Sequence, residues 1–461
     1  MIHKAFYNAA ENKLEPKRGV HLKAKPPPSA SNFWINLLGG GCYILSIYIT
    51  LYFYPETDIF MLGIIGVISA VLPIVFCELT FLKVHRRIRV GLHPPEKPDK
   101  ERVEIKLLGF YGSLALIMAF YALIPPYSND SFYEVGFIFL LPLLLAFVVG
   151  GWIYIYEMDP RLKDPYDAYW HFGNILALRW DKIDYSMISK HLRSLLLRAF
   201  FLPNMLVYLV LNIELITDGW DDFSQQNLGN IEDISGLGLL KLMVVVYFFL
   251  AAMDTIFAVI GYIMAFKILD SDIQSTEPTF LGWFICIICY YPFWEVVMIS
   301  LFFHDFYSNP EWNEWLEGMP LIIIIIWGGL VLSGVLLEAL TTLTFGIRFS
   351  NLTYRGLISD GTFRLSKHPQ YVFKMLNRFC FYMPFLSLFG VLGVIKTMLM
   401  FAGLCFVYYL RARTEENHLV RYPEYVEYAN WMNENGIFRH VAKYIPFLIF
   451  SEQKARAGRL F

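Results

Sequence analysis

The sequence predicts an all-α, polytopic integral membrane protein with about eight transmembrane helices and a C-terminal helical hairpin, about ten membrane segments in all. Of its 461 residues, 56% are hydrophobic and 17% are charged, and the mean hydropathy of +0.47 is more apolar than that of soluble domains. The apolar residues form long runs, and Lys and Arg are concentrated in alternate loops. The net charge of -2 indicates no basic surface, so no nucleic-acid partner is expected.

Eight apolar runs are each long enough for a helix that crosses about 30 Å of hydrocarbon. In chain order they cover 33–54, 59–82, 105–125, 132–156, 196–216, 237–266, 280–303 and 319–346. A further stretch, 375–410, is too long for one straight helix and is interrupted by Pro384, Gly390, Gly393 and Lys396, which predicts a hairpin. Because a proline inside a helix removes a backbone hydrogen bond, Pro384 is expected to kink the first arm.

The basic residues predict how the chain crosses the bilayer. They occur before residue 33, at 83–104, at 157–195, near 267 and at 347–374. The intervening loops, which contain neither Lys nor Arg, lie at 55–58, 125–130, 217–235 and 304–318. Because Lys and Arg accumulate in cytoplasmic loops, both termini are expected in the cytoplasm.

Three regions follow from this arrangement. They are a cytoplasmic N-terminal segment at 1–32, a multi-span membrane region of unassigned role at 33–346, and a C-terminal region at 347–461. Within the second region, the segment 157–195 mixes Trp and Tyr with Lys and Arg. That composition fits either helices lying on the cytoplasmic leaflet or a connecting loop.

The six cysteines all lie inside apolar runs, where a thiol behaves as a small hydrophobic side chain. Cys286 and Cys289 have CxxC spacing, but they fall within a predicted span and have no second pair of ligands nearby. We therefore expect structural thiols and no metal site.

Four acidic residues lie within or near the ends of apolar runs, where a charge indicates function or buried pairing. Glu78 and Glu338 are close enough to a cytoplasmic end to reach the interface. Asp254 and Glu295 are nearer to mid-span. They could form a polar contact between their helices, line a substrate cavity or relay protons.

Two polar clusters interrupt the apolar C-terminal region: GTFRLSKHPQY at 361–371 and RARTEENHL at 411–419. Taken alone, the first is a turn into a helix, with Pro369 suited to the first helical turn, and could serve only as a cap at the membrane surface. The second extends an apolar helix, and its charges could form ordinary surface ion pairs. Glu415 and Glu416, however, point about 100° apart, so one can face an ion pair while the other faces a site.

Together the clusters resemble the C-terminal pattern of the isoprenylcysteine carboxyl methyltransferase family. That family shows an Arg-His-Pro-x-Tyr element, a helical hairpin, an Arg-x-x-x-Glu-Glu-x-x-Leu element and a Y-x-x-Y segment. The counterparts here are KHPQY at 367–371, the predicted hairpin, RARTEENHL, and YPEYVEYANWM at 422–432. The resemblance covers roughly residues 350–450, with Lys367 in place of the arginine and Pro423 in place of a glycine.

The resemblance implies an integral membrane methyltransferase that transfers a methyl group from S-adenosylmethionine to a lipophilic or lipid-linked acceptor at the cytoplasmic face. Either Glu416 or Glu415 would bind the ammonium group of the cofactor. Arg411 or Arg413 would be the catalytic group that meets a carboxylate of the cofactor or of the acceptor.

The first cluster would supply the rest of the cofactor site. By the resemblance, His368 and Tyr371 line the nucleoside pocket, with Lys367 and Pro369 beside them. His368 could also act as a catalytic base for an amine, thiol or phenol acceptor, whereas a carboxylate acceptor needs no base. The cofactor would arrive from the cytoplasm and the acceptor from the bilayer, either of the bacterial inner membrane or of the endoplasmic reticulum.

Two other functions stay open at this point. Membrane sterol reductases resemble the family in the same hairpin but bind NADPH, and their second element typically reads Arg-Asp-Glu followed shortly by Cys. The sequence TEE at 414–416, with no cysteine after Cys405, fits the methyltransferase form better. A non-enzymatic transporter or scaffold would instead depend on Asp254 and Glu295, and the C-terminal clusters would be interfacial caps.

Overall fold

The computed structural model describes residues 25–124, 127, 131–224 and 236–460. Most of the predicted segment 1–32 therefore lies outside the described residues, as do 125–126, 128–130 and 225–235 of two loops. Within the described ranges the chain is helical apart from its loops and one pair of two-residue strands. This architecture agrees with the predicted all-α class.

The elements follow one another with short connections. In chain order the α-helices are α1 (Phe33–Phe53), α2 (Ile59–Thr80), α3 (Lys100–Leu123), α4 (Ser131–Met158), α5 (Ala168–Leu176), α6 (Tyr185–Ser224), α7 (Gly236–Ile263), α8 (Phe280–Ile287), α9 (His304–Tyr307), α10 (Trp312–Leu316), α11 (Leu321–Phe345), α12 (Pro369–Tyr382), α13 (Gly390–Leu419), α14 (Pro423–Asn435) and α15 (Glu452–Arg456). Strands β1 (Ser275–Thr276) and β2 (Thr353–Tyr354) pair antiparallel. The other helical segments are a π-helix at Trp294–Phe303 and short 3-10 helices at Val84–Arg86, Ile88–Val90, Asp159–Arg161, Trp180–Lys182, Lys267–Leu269, Gly346–Arg348, Gly361–Arg364, Val441–Lys443 and Pro446–Leu448.

Eight helices in the described part of the chain are long and apolar enough to cross a membrane, namely α1, α2, α3, α4, α6, α7, α11 and α13. Seven correspond to predicted spans, and α13 contains the second arm of the predicted hairpin. Helix α6 is much longer than the predicted span 196–216, because polar residues extend it at both ends. Length and composition together support a multi-pass membrane protein.

The prediction of one continuous helix at 280–303 is wrong. The chain forms α8, then a bend that contains Pro292, and then the π-helical segment. Proline has no amide hydrogen to donate to the preceding turn, so it favours a break at this point. Because β1 pairs Thr276 with Thr353, the part of the chain between these two residues begins and ends on the same side of the protein. It therefore runs out through this broken segment and back through α11.

The predicted C-terminal hairpin is present, but its boundaries and its proline differ from the prediction. Its arms are α12 and α13, so the hairpin begins before residue 375 and ends after residue 410. Pro384 lies in the connection and does not kink the first arm. The first arm ends where Met383 adopts a left-handed conformation, and the hydroxyl of Thr397 donates a 2.7 Å hydrogen bond to the Pro384 carbonyl. The proline thus helps to close the turn.

The segment 157–195 contains the end of α4, the helix α5, the start of α6 at 185–195, two 3-10 helices and connecting loops. Helix α5 packs against α3, and its placement on the cytoplasmic leaflet stays a prediction. The contact between α5 and α3 is backbone to backbone, since a Cβ added at Gly173 would lie 1.9 Å from the carbonyl oxygen of Ile105. Only glycine permits that approach.

The largest apolar core joins α1, α2, α6, α7 and α11. A second core, formed by residues of 354–363 and of α14, includes Tyr354, Phe363, Tyr425 and Tyr428. This second core holds the segment that carries the first polar cluster against the end of α13.

The acidic residues Glu78 and Glu338 do not reach the interface as expected. Glu78 is 1% exposed and accepts two hydrogen bonds from the Arg348 guanidinium, at 2.6 and 2.8 Å. Glu338 is 7% exposed and forms a 2.9 Å ion pair with Lys374. Each carboxylate is thus neutralised inside the protein, because an unpaired buried charge would be costly.

The two mid-span acids have different surroundings. Asp254 accepts a short hydrogen bond from Thr342 on α11. Glu295 lies exposed on the π-helical segment. Within the described residues no hydrogen bond or ion pair joins these two acids, so the alternative in which they form one polar contact is wrong.

Candidate functional site

The two polar clusters meet at one point. The imidazole of His368 lies with Nδ1 3.3 Å from Oε2 of Glu415 and with Nε2 3.4 Å from Oε1 of Glu416. These groups are far apart in sequence, and the hairpin of α12 and α13 brings them together. The predicted convergence of the clusters is therefore confirmed.

The local sequence explains how His368 reaches this position. Gly361 has a φ of 53°, and a Cβ there would lie 2.6 Å from Oγ1 of Thr344, so the turn rests directly on the end of α11. Pro369 is buried and occupies the first turn of α12, where its missing amide hydrogen is not needed. His368 consequently precedes the helix directly. Pro369 positions the cluster and offers no polar group of its own to a cofactor.

Glu416 is fully engaged by the protein. Its Oε1 forms a 2.8 Å ion pair with Nζ of Lys367 and also contacts His368. Its Oε2 forms an ion pair with Arg413. The residue is 2% exposed. Both oxygens of Glu416 already have cationic partners, so Glu416 is less accessible to an ammonium group than Glu415 is. Arg413 is likewise occupied, by Glu416 and by the Leu460 carbonyl.

Glu415 has a free oxygen. Its Oε2 accepts a 2.9 Å hydrogen bond from the Tyr371 hydroxyl and contacts His368, whereas its Oε1 has no partner among the described residues. Its side chain is 39% exposed, compared with 3% for Glu416. The carboxylate that remains available to a ligand is thus Glu415.

The two carboxylates change the protonation of His368. Burial alone would lower the pKa of this imidazole, but the interactions with Glu415 and Glu416 outweigh it and raise the pKa to about 8. At neutral pH the ring is therefore largely a cation held between two anions. This charge state argues against the expectation that His368 serves as a general base.

Arg411 is held in place by neutral groups. Its Nη2 donates hydrogen bonds to Oδ1 of Asn351 at 2.6 Å and to the Tyr290 hydroxyl at 3.3 Å. Its guanidinium also lies 5.0 Å from the ring centre of Tyr371 and 5.9 Å from that of Tyr408. In the described part of the chain no carboxylate pairs with this cation, so its charge is available to an anionic group.

Two clefts open beside Glu415. The Arg411 cleft has a volume of about 520 Å³, and its walls include Arg411, Glu415, Asn351, Tyr371, Gln370, Phe345, Phe349, Glu277 and His418. The Lys367 cleft has a volume of about 530 Å³, and its walls include Lys367, His368, Glu415, Arg355, Tyr354, Phe345, Tyr425 and Tyr428. Both clefts share Glu415 and Phe345, so they adjoin at these side chains.

Sequence reasoning missed a group of hydrogen-bonded polar residues beside Arg411. Asn351, which orients Arg411, also donates hydrogen bonds to the hydroxyls of Tyr262 at 2.8 Å and Tyr290 at 3.0 Å. These three residues come from separate segments, and no motif marked them. Their proximity depends on the fold alone.

A second missed group forms one wall of the Arg411 cleft. Nε2 of His418 lies 2.9 Å from Oγ of Ser275, which also accepts a 2.6 Å hydrogen bond from the Tyr422 hydroxyl. Burial raises the pKa of the nearby Glu277 carboxyl. His418 belongs to the second polar cluster, but Ser275 and Glu277 reach it only because β1 pairs with β2.

No protein-family model, curated protein or solved structure matches the chain. Among the described residues, no group of three or more His, Cys, Asp and Glu side chains is arranged to hold a metal ion. The functional assignment therefore depends on the geometry of the two clefts and on their charged groups.

Proposed function

We propose that the protein is an integral membrane methyltransferase that uses S-adenosylmethionine and a lipophilic or lipid-linked acceptor. One observation carries the proposal: Glu415, with a free carboxylate oxygen, and Arg411, with no carboxylate partner among the described residues, line one cleft. Their sequence context resembles that of the isoprenylcysteine carboxyl methyltransferase family.

The Arg411 cleft fits the cofactor chemically. The methionine end of S-adenosylmethionine carries an ammonium and a carboxylate, which Glu415 and Arg411 would bind. The aromatic walls at Phe345, Phe349 and Tyr371 suit a flat nucleobase. The bound cofactor would supply an electrophilic methyl group on a sulfonium. The chain's own contribution is to fix orientation, because holding two reactants in line supplies much of the acceleration.

The Lys367 cleft is the place we assign to the reactive end of the acceptor. It adjoins the Arg411 cleft at Glu415 and Phe345, so an acceptor there would reach the cofactor's methyl group past these two side chains, with its nucleophilic atom in line with the sulfonium. His368 is largely protonated at neutral pH and is a poor base. The acceptor group should therefore be nucleophilic without deprotonation by His368, as an ionised carboxylate is.

Membrane placement is part of the proposal. The clefts lie next to the 347–374 segment, which is rich in Lys and Arg, and the basic loops predict that this face is cytoplasmic. The soluble cofactor would then reach the site directly. The acceptor would come from the bilayer, of either the bacterial inner membrane or the endoplasmic reticulum.

Binding measurements on the purified protein in detergent test the proposal. S-adenosylhomocysteine should bind, and Glu415→Gln should weaken that binding at least tenfold, which is about 1.4 kcal/mol. The control is Glu434→Gln, an exposed carboxylate on α14 that lines neither cleft. A radiolabelled methyl-transfer assay with a membrane extract would then identify the acceptor.

The alternatives give different outcomes in the same experiment. Binding of NADPH without S-adenosylhomocysteine would indicate a reductase of the sterol-reductase type. Binding of neither compound by folded protein would refute an enzymatic function of this site and favour a transporter or scaffold.

A further inference from the structure

A third cavity lies in the membrane region, away from both clefts. It has a volume of about 760 Å³ and is lined by residues of α3, α4, α5, α6 and the end of α7. Most of its wall is aliphatic or aromatic, as at Leu114, Leu144 and Phe147. Concave sites with mainly apolar walls and a few polar groups are typical of small-ligand sites.

The cavity also contains a cation without an anionic partner. Arg198 lines it, and the Nε of Arg198 is buried without a hydrogen bond. Within the described residues no carboxylate forms an ion pair with this guanidinium. Arg198 follows the apolar residues Leu195, Leu196 and Leu197 on α6, where an unpaired charge is costly and indicates a functional contact.

The polar groups around Arg198 cannot neutralise it. His191 is hydrogen-bonded to Ser113 at 2.8 Å. Arg355 is itself a cation, and its pKa is lowered to about 9 by burial and by the charges of Arg198 and Arg348. The guanidinium of Arg355 is already satisfied by backbone carbonyls, including those of Ser271 and Gly261. Arg198 therefore faces neutral or like-charged neighbours.

We propose that this cavity binds an amphiphile with an apolar chain and an anionic headgroup, whose headgroup pairs with Arg198. The chain occupies the apolar part of the cavity between α3 and α4, and the anion compensates the partly buried guanidinium. Free fatty acids and anionic phospholipids share this chemistry. The proposal does not depend on methyltransferase activity.

Photolabelling of the detergent-purified full-length chain tests the site. The probes are a diazirine-labelled palmitic acid, its methyl ester and a diazirine-labelled phosphatidylglycerol. We expect labelled peptides from α3 and α4, with at least tenfold lower yield in Arg198→Gln. Arg193→Gln is the matched control, because Arg193 lies on the same helix, outside the cavity, and donates hydrogen bonds to Thr276 and Ser189. It should label as the unmodified protein does.

A second variant separates loss of binding from loss of folding. Leu144→Trp fills the cavity but keeps Arg198, and it should also abolish labelling, with folding of each variant checked by gel filtration. Labelling by the acid and not by the phospholipid identifies a single-chain ligand, and the reverse result identifies a lipid headgroup. Equal labelling by the methyl ester, or labelling that is unchanged in both Arg198→Gln and Leu144→Trp, overturns the proposal.

Discussion

At the scale of single residues, His368 links the two polar clusters by charge. Its raised pKa means that the folded state binds this proton more tightly than the unfolded state does. The resulting stabilisation is fully present below the ordinary histidine pKa of about 6.5 and is lost as the pH rises through about 8. The shift corresponds to about 2 kcal/mol of pH-dependent stability.

Thermal unfolding in detergent between pH 6 and pH 9 measures this effect. The melting temperature should fall across that range, and His368→Gln should remove most of the fall. His440→Gln, at an exposed histidine, should leave the pH profile unchanged. An identical profile for the unmodified protein and His368→Gln would show that His368 is not held as a cation.

The neighbouring acids Glu415 and Glu416 should respond differently to mutation. Glu416→Gln removes the anion that neutralises buried Lys367 and Arg413, so we expect a loss of about 3 kcal/mol in unfolding free energy. Glu415→Gln, which removes one of the two anions beside His368, should cost less stability than Glu416→Gln and should also weaken cofactor binding. Denaturant unfolding and ligand titration on both variants measure the two effects. A stability loss confined to Glu415→Gln would contradict the assignment.

The sequence predicted that the two acids divide their roles, because adjacent helical residues point in different directions. It did not predict which acid faces the cleft. That outcome depends on where Lys367 and Arg413 reach, and the sequence pattern carries no information about side-chain direction at the end of the turn. Asn351 and Tyr290, which orient Arg411, could not be predicted either, because their contact is purely tertiary.

At the scale of elements, backbone contact between α3 and α5 fixes the position of this short helix. Gly173→Ala should drive a methyl group into the Ile105 carbonyl and destabilise the fold by about 2 kcal/mol. Gly150→Ala on α4 is the control, since a Cβ there meets no atom within 4 Å. Unfolding curves of both variants measure the difference, and equal stability would contradict this packing.

Helix boundaries show what the apolar pattern can and cannot predict. Run length correctly predicted seven long apolar helices and the hairpin, because the hydrocarbon thickness sets a minimum length. It missed the interruption at Pro292 and placed Pro384 inside an arm, since both prolines stand within continuous apolar sequence. The break after α12 depends on the left-handed backbone at Met383, a residue type that gives no such signal.

At the scale of the whole molecule, the alternation of basic loops predicts that both termini are cytoplasmic. A membrane-impermeant maleimide tests this in intact cells that express single-cysteine additions. Glu56→Cys, in a loop without Lys or Arg, should be labelled, whereas Lys97→Cys should react only after permeabilisation. The unmodified protein, whose six cysteines lie in apolar runs, is the control. Reversed labelling would place the clefts on the opposite face.

The fold class was predictable from composition and run length, whereas the clefts were not. The Arg411 cleft needs side chains from α8, the 350–353 segment, α12 and α13 at once. Pairing of Glu78 with Arg348 is another case, since Glu78 was expected to reach the interface and instead forms a buried ion pair. Contacts between residues that are distant in the chain produce no periodic pattern in a single sequence.

The side chain of Tyr262 links the amphiphile cavity to the Arg411 cleft. Its ring borders the amphiphile cavity, and its hydroxyl accepts hydrogen bonds from the same Asn351 amide that orients Arg411. A ligand chain that displaces this ring would disturb the Asn351 amide, and with it the guanidinium that we propose as the partner of the cofactor. Thermodynamic linkage makes such an influence mutual. An amphiphile in the cavity would change the affinity of the Arg411 cleft for the cofactor, and the cofactor would change the affinity of the cavity for the amphiphile by the same factor.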